Sequence, residues 1–285
     1  MNTPDHEMIV FLSLSDLHPF PDHPFQIRDD EAMRETAESI RQYGVLVPAI
    51  VRPCESGGYE IISGHRRKRA CELARLAEMP CIIRDVDRDT ATIIMVDSNL
   101  QRESILPSER AKAYKMKLEA IKRQGARHDL TSTQVAQKLS VEKVAEDAGT
   151  SKDQIRRYIR LTELQPDLQK MVDDGKIGLT PAVELSYLKP AEQTLLLDTL
   201  SSEQAMPSLS QAQRMKRLSQ EGKLTDDSML QIMSEQKKPE AWTISLPVSR
   251  ISRYFPATYT PQRMEETIIK LLEGWMRKRQ RDQGR

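Results

Sequence analysis

Pro107 divides the chain. Before it, runs rich in β-branched residues alternate with short helical patterns; beyond it strand signals almost vanish and helical periodicity holds to about Gln236. A chain that confines its strands in this way cannot form one large sheet, so it reads as α+β: a small α/β domain followed by an all-helical one. The 285 residues leave room for a third, short module. That module is read after Lys238-Pro239, where Trp242, Ile244, Leu246 and Val248 alternate with polar residues as in a half-buried strand. Thr260-Pro261 then opens a last helix with Met264, Ile268, Leu271, Leu272 and Trp275 on one stripe. The expected domains are therefore 1–103, 104–236 and 237–285.

Within the first domain, strands are expected at 8–14, 45–52, 59–62 and 81–86, and helices at 30–43, 65–76 and 89–102. Met33, Ala37 and Ile40 set the period of the first helix and Gly44 terminates it. Pro107 suits the first turn of a helix through Lys122, with 124–129 as a loop after it.

Composition excludes several classes. No run approaches the ~18 apolar residues of a membrane helix, and the start, MNTPDHEMIVFLSLSD, lacks a basic region ahead of its apolar stretch, so a cytosolic protein with no membrane partner is expected. Cys54, Cys71 and Cys81 form no CxxC pair and read as free thiols. Lys and Arg number 43 against 42 Asp and Glu, so any nucleic-acid footprint must be local rather than a property of the whole molecule.

Two stretches carry chemistry. In 141–164, VEKVAEDAGTSKDQIRRYIRLTEL, Ala145 is small where two helices would cross, Gly149 can take a left-handed turn, and Ile155 points back into the angle between them. Ser151 and Gln154 form a capping box for the second helix. Its wheel places Ile155, Tyr158, Ile159 and Thr162 inward and Lys152, Arg156, Arg157 and Arg160 outward. A helix in the DNA major groove needs such a basic face, because guanidinium groups read guanine edges and neutralise phosphates. The alternative is a helical hairpin with a solvated charged face.

In 59–76, YEIISGHRRKRACELARL, a strand, a Ser63-Gly64 turn and a helix opening on basic residues follow one another. Free N–H groups at a helix start, a glycine permitting close approach and adjacent guanidiniums suit a polyphosphate. The wheel centres Ala70, Leu73, Ala74 and Ala77 near Arg66, with Arg67 at the border, so Arg66 extends the buried face; a structural ion pair is the alternative account. A third stretch, 97–103, ends a helix with polar groups able to hold a metal-phosphate pair.

Taken in order, these stretches resemble the ParB family of bacterial DNA-partition proteins over roughly residues 12–200, with HPFQIR opening the first box, SGHRRKRA (63–70) the second and SNLQRESILPSERA (98–111) the third. The resemblance implies a ParB/sulfiredoxin-like first domain and a nucleoid-associated, CTP-regulated clamp that loads at a palindromic site on double-stranded DNA, dimerises through its C-terminal module and works with a ParA-type ATPase. By motif match, Ser63, Gly64, His65, Arg66 and Arg67 go to the nucleotide, Asn99, Gln101 and Arg102 complete its site, and Asn99 holds Mg²⁺ with it. Ser151, Lys152, Gln154, Arg156, Arg157 and Arg160 go to DNA.

The sequence departs from the family at three positions: His65 replaces a glutamate, Val47 a glutamine, and Ser98 the acidic residue found before Asn99 in members that hydrolyse CTP. Nucleotide binding is implied, and slow CTP turnover stays open. Asp97 could compensate for Ser98, although it lies about 100° away on a helix. Sulfiredoxin-like catalysis is not expected, because Gly64-His65-Arg66 lacks the cysteine nucleophile. A helix-turn-helix transcriptional regulator without nucleotide switching is the remaining alternative.

Overall fold

The computed structural model describes residues 8–54, 57–102, 105–128, 133–203, 205–235, 247–256 and 258–283. They fall into two compact units, Met1–Glu235 and Gln236–Arg285.

The first unit begins with a five-stranded mixed sheet: β1 (Ile9–Ser13), β2 (Leu17–His18), β3 (Ala49–Pro53), β4 (Tyr59–Ser63) and β5 (Glu78–Ile83), in the order β1-β5-β3-β4-β2. Helices α1 (Glu31–Tyr43) and α2 (His65–Leu73) are interleaved with these strands, and α3 (Arg88–Leu100) follows them. The Asp30 carboxylate caps α1 by accepting from the Met33 N–H at 2.9 Å, and Gly44, at φ +72°, ends it. Successive residues of β4 point to opposite faces, so the sheet is packed on both sides. Ile61 joins Met33, Ala37, Ile40, Ala70 and Cys71 under α1 and α2, whereas Ile62 joins Phe20, Phe25, Ala91, Met95 and Val96 under α3.

Two of the expected strands are displaced. Residues 45–48 are not strand, because the Val47 and Pro48 carbonyls accept from the Arg67 guanidinium instead of from a neighbouring strand. The last strand runs Glu78–Ile83 rather than 81–86, drawn forward by antiparallel pairing with β1 from Ser13↔Glu78 to Ile9↔Ile82. Cys71 and Cys81 are buried free thiols and Cys54 is a half-buried one; burial pushes the Cys81 thiol up to about 11, where it is unreactive near neutral pH.

The rest of the unit is helical: α4 (Pro107–His128), α5 (Thr133–Asp147), α6 (Lys152–Arg160), α7 (Pro166–Asp173), α8 (Leu179–Leu185), α9 (Pro190–Glu203), α10 (Leu209–Gln220) and α11 (Asp226–Ser234). The loop expected at 124–129 is corrected as far as His128, since α4 continues through Gly125 to that residue. Its end is held on α3 by Arg123 to Asp89 at 2.7 Å and by Gln124 Nε2 donating to Thr90 Oγ1 at 2.9 Å.

α4 reaches three cores. Ala113 belongs to the cluster beneath α3; Tyr114, Leu118 and Ile121 pack with Val141, Val144, Ala145 and Ile155 of the following hairpin; and Ala111 joins the α7–α11 core. The 103/104 boundary expected from sequence therefore falls inside one compact unit.

The second unit contains α12 (Val248–Ile251) and α13 (Pro261–Gln283). Val248, expected in a strand, opens the short α12; the rest of that expected strand, 242–246, lies outside the described residues. On α13 Met264 is buried, while Leu271, Leu272 and Trp275 of the expected stripe are exposed. Among the described residues no helix is long and apolar enough to cross a membrane.

Candidate nucleotide cleft and DNA-reading hairpin

The glycine between β4 and α2 sets the first site. Gly64 sits at φ +117°, and a Cβ there would come within 2.8 Å of the Ala49 Cβ on β3. Only glycine turns the chain here while letting the start of α2 lie against the sheet. From that start the basic residues diverge. His65 turns inward: its Nε2 accepts from the Phe20 N–H at 3.3 Å and its ring lies 3.9 Å from that of His23. Burial, with the His23, Arg102 and Lys68 charges adding to it, holds its pKa down at about 3, so it is neutral at physiological pH and offers no charge to an anion. Arg67 is half-buried and spent on the two carbonyls of the β3 approach.

Arg66 faces open space. Its side chain is 31% exposed, reaches Asp30 only at 3.7 Å, and lines a cavity of about 680 Å³ with Gln26, Arg28, Gln101, Arg102 and Glu109. The wheel's inward placement is thus corrected to the wall of a cleft. Burial and the neighbouring Arg66 charge hold Arg102 below the usual arginine range. Glu109 offsets part of that repulsion, and an anion between the two guanidiniums would offset more.

Of the other expected residues, Gln101 and Arg102 line this cleft. Ser63 ends β4 beside Ile50. Asn99 is buried, donating from Nδ2 to the Met95 carbonyl at 2.8 Å, while its Oδ1 has no partner. Ser98 donates to the same carbonyl at 3.0 Å. Asp97, the neighbour that could compensate for Ser98, is paired with Lys117 at 2.6 Å. Gln26, Arg28, Asp30 and Glu109 were not among the expected site residues. The HPFQIR and SERA boxes contain three of them, so the signal was present in the motifs and not carried to individual positions.

The second site is the α5–α6 hairpin. Gly149 makes the turn at φ +60°, Ser151 Oγ accepts from the Gln154 N–H at 3.2 Å, and Ile155 is 0% exposed at the crossing with Val144 and Ala145. The serine half of the capping box forms; the return bond from the Gln154 side chain does not. Lys152 and Arg156 project outward, paired with Glu142 and, at 3.4 Å, with Asp153. Arg157 and Arg160 are half-buried and engaged with α8 and the two residues that follow it. Arg157 donates to Thr180 Oγ1 at 2.7 Å, and Arg160 grips Ser186 through Oγ and the backbone carbonyl while lying 4.2 Å over the Tyr187 ring. Of the expected basic face, the first half is exposed beside acidic neighbours and the second half braces the helix.

Residues 2–100 match the ParB N-terminal domain and residues 103–207 the ParB HTH domain. The chain belongs to the ParB family. Among ParB-type relatives, the Stage 0 sporulation protein J of Bacillus subtilis is 34% identical over 64% of this chain and 59% of its own. The chain thus spans about six-tenths of the length of the curated relatives it matches. Two structures of the C-terminally truncated ParB from Caulobacter crescentus are also similar. The one complexed to the centromeric parS site is 22% identical, with TM-score 0.44, over 73% of this chain and 98% of that one. The one complexed with CTP-gamma-S is 25% identical, with TM-score 0.32, over 66% and 96%.

Proposed function

We propose that this ParB-family chain is a sequence-specific DNA-binding partition protein whose hold on double-stranded DNA is regulated by CTP. The observation that carries the reading is the convergence of Arg28, Arg66 and Arg102 on one cleft beside the Gly64 helix start, within the same compact unit as a helix-turn-helix. Arg66 and Arg102 hold the triphosphate, and the N–H groups after Gly64 approach it. His65 and Arg67 act as positioning residues, the first under Phe20 and the second on the β3 approach. The unpartnered Oδ1 of Asn99 is an acceptor suited to Mg²⁺, which would offset phosphate charge, but it is buried and outside the cleft lining, so holding the ion requires the end of α3 to shift. With Ser98 and Asp97 both engaged elsewhere, the reading favours binding and release over rapid hydrolysis.

Titrating CTP, ATP, GTP and UTP tests this reading, since a plain transcriptional regulator responds to none of them. Arg66→Ala is expected to weaken CTP binding at least tenfold, from the loss of one charge-assisted contact worth ~1.5–3 kcal/mol, while leaving initial DNA recognition nearly intact. A lowered melting temperature with unchanged CTP affinity would instead make the Asp30 pair its whole role.

Sequence reading on DNA is assigned to the exposed start of α6. Arg156→Ala should cost about 1–3 kcal/mol at the selected operator if the residue contacts a base, or flatten the salt dependence by about one unit if it contacts a phosphate. An unaltered affinity and salt slope would leave that face merely solvated.

Homodimerisation is assigned to 237–285 on the exposed α13 residues Leu271, Leu272 and Trp275, which leave an apolar face too large for a lone terminal helix. Sedimentation of a chain truncated at Lys238 should show the protomer mass in place of the dimer. A ParA-type ATPase as partner and a cytoplasmic, nucleoid-associated location complete the reading.

A further inference from the structure

Lys117 is a fully buried lysine. It lies on the stripe of α4 that carries Ala113, Tyr114, Leu118 and Ile121 into the cores, with its side chain 0% exposed. Its Nζ meets Asp97 Oδ1 of α3 at 2.6 Å and Asp147 Oδ2 of α5 at 2.7 Å. A buried ammonium is retained only where carboxylates compensate its lost hydration, and a leucine would pack this stripe without that requirement. What the lysine adds is a fixed point shared by two helices of different duty. α3 ends at Leu100, directly before Gln101 and Arg102 of the nucleotide cleft, and α5 is the first helix of the proposed DNA-reading hairpin.

The surroundings of the two carboxylates permit more than one arrangement. Both are partly exposed, at 42% and 37%, and line a second cavity of about 500 Å³ with Gln101, Arg110 and Tyr114. Gln101 lines this cavity and the nucleotide cleft alike. Leu100, between Asn99 and Gln101, packs against the cluster under α3 and against the hairpin core. A shift at the end of α3 can turn the Asp97 carboxylate into the cavity, where water solvates it, whereas Lys117 has no such outlet and stays with Asp147.

We infer that Lys117 is a positioning residue that couples the nucleotide cleft to the DNA-reading hairpin, by holding the end of α3 and the end of α5 on one ammonium. The inference rests on the CTP reading above. It supplies a two-state contact that both sites bias, which energetic coupling between separated sites requires.

Hydrogen exchange on the full chain, with and without CTP and Mg²⁺, tests it in wild type, Lys117→Met and Asp147→Asn. In wild type CTP should slow exchange severalfold in α2 and α3 and alter it in α5 as well. In Lys117→Met the α2 and α3 response should persist and the α5 response should fall within twofold of none. Asp147→Asn keeps Lys117 on Asp97 and should lose the α5 response too, so it carries the test if the lysine variant does not fold. An α5 response of wild-type size in the folded variants overturns the inference. So does a wild type whose α2 and α3 respond while α5 stays silent, which leaves the CTP reading intact. No response at α2 and α3 in wild type defeats the CTP reading itself.

Discussion

Gly64→Ala is expected to destabilise the protein by about 2–5 kcal/mol. A left-handed backbone costs an alanine ~1–2 kcal/mol, and crowding a packed core adds ~1–3 kcal/mol. The new methyl would lie 2.8 Å from Ala49 Cβ and 3.2 Å from Ala49 Cα, and Ala49 cannot give way. It is fully buried in β3, between β4 and β5, and Arg67 holds the two carbonyls that precede it. For a unit of this size the loss corresponds to a fall of roughly 5–15 °C in melting temperature. Adding Ala49→Gly should restore the crowding share and leave the backbone share. A fall smaller than about 3 °C for Gly64→Ala would mean that the start of α2 relaxes away from the sheet.

Acidification should act on the neighbouring residue. His65 is held at about 3 in the folded protein against an ordinary value of 6.5, so the unfolded chain takes up its proton first. The stability present above pH 6.5 is therefore lost as the pH falls toward 3, at ~1.4 kcal/mol per pH unit, or about 3 kcal/mol between pH 7 and pH 4. Urea unfolding across that range measures it. His65→Gln keeps an acceptor for the Phe20 N–H and does not titrate, so its acid limb should be shallower by close to one proton. Equal slopes in the two proteins would remove His65 as the cause.

Signals that live within a few residues were legible in the sequence. Asp30 and Gly44 bracket α1, Gly149 makes the hairpin turn, Ser151 caps α6 and Ile155 fills the crossing, because each acts through local backbone geometry. Features set by a distant partner were not. The start of β5 depends on β1, about 65 residues earlier in the chain, and the loop before β3 depends on a guanidinium from α2. The cleft was legible as motifs but not as geometry: Arg66, placed on the buried side by its wheel, lines an open wall, while Arg67 at the border is consumed by structure. Lys117 left a trace that could have been followed, a lone charge in the middle of the apolar stripe Ala113, Tyr114, Leu118 and Ile121.

The three-way packing of α4 bears on how such chains exchange parts in evolution. A recombination joint near residue 102, where the two family domains abut, would bring in a foreign α4 whose Ala113 face was selected against another sheet. The heritable block is larger than the DNA reader. To acquire a new operator preference by recombination, a lineage must take α3 and α4 along with the hairpin, or else change the exposed start of α6 one residue at a time. The second route leaves every core untouched, so under the proposed function Lys152 and Arg156 are the positions where specificity would drift at least cost to folding.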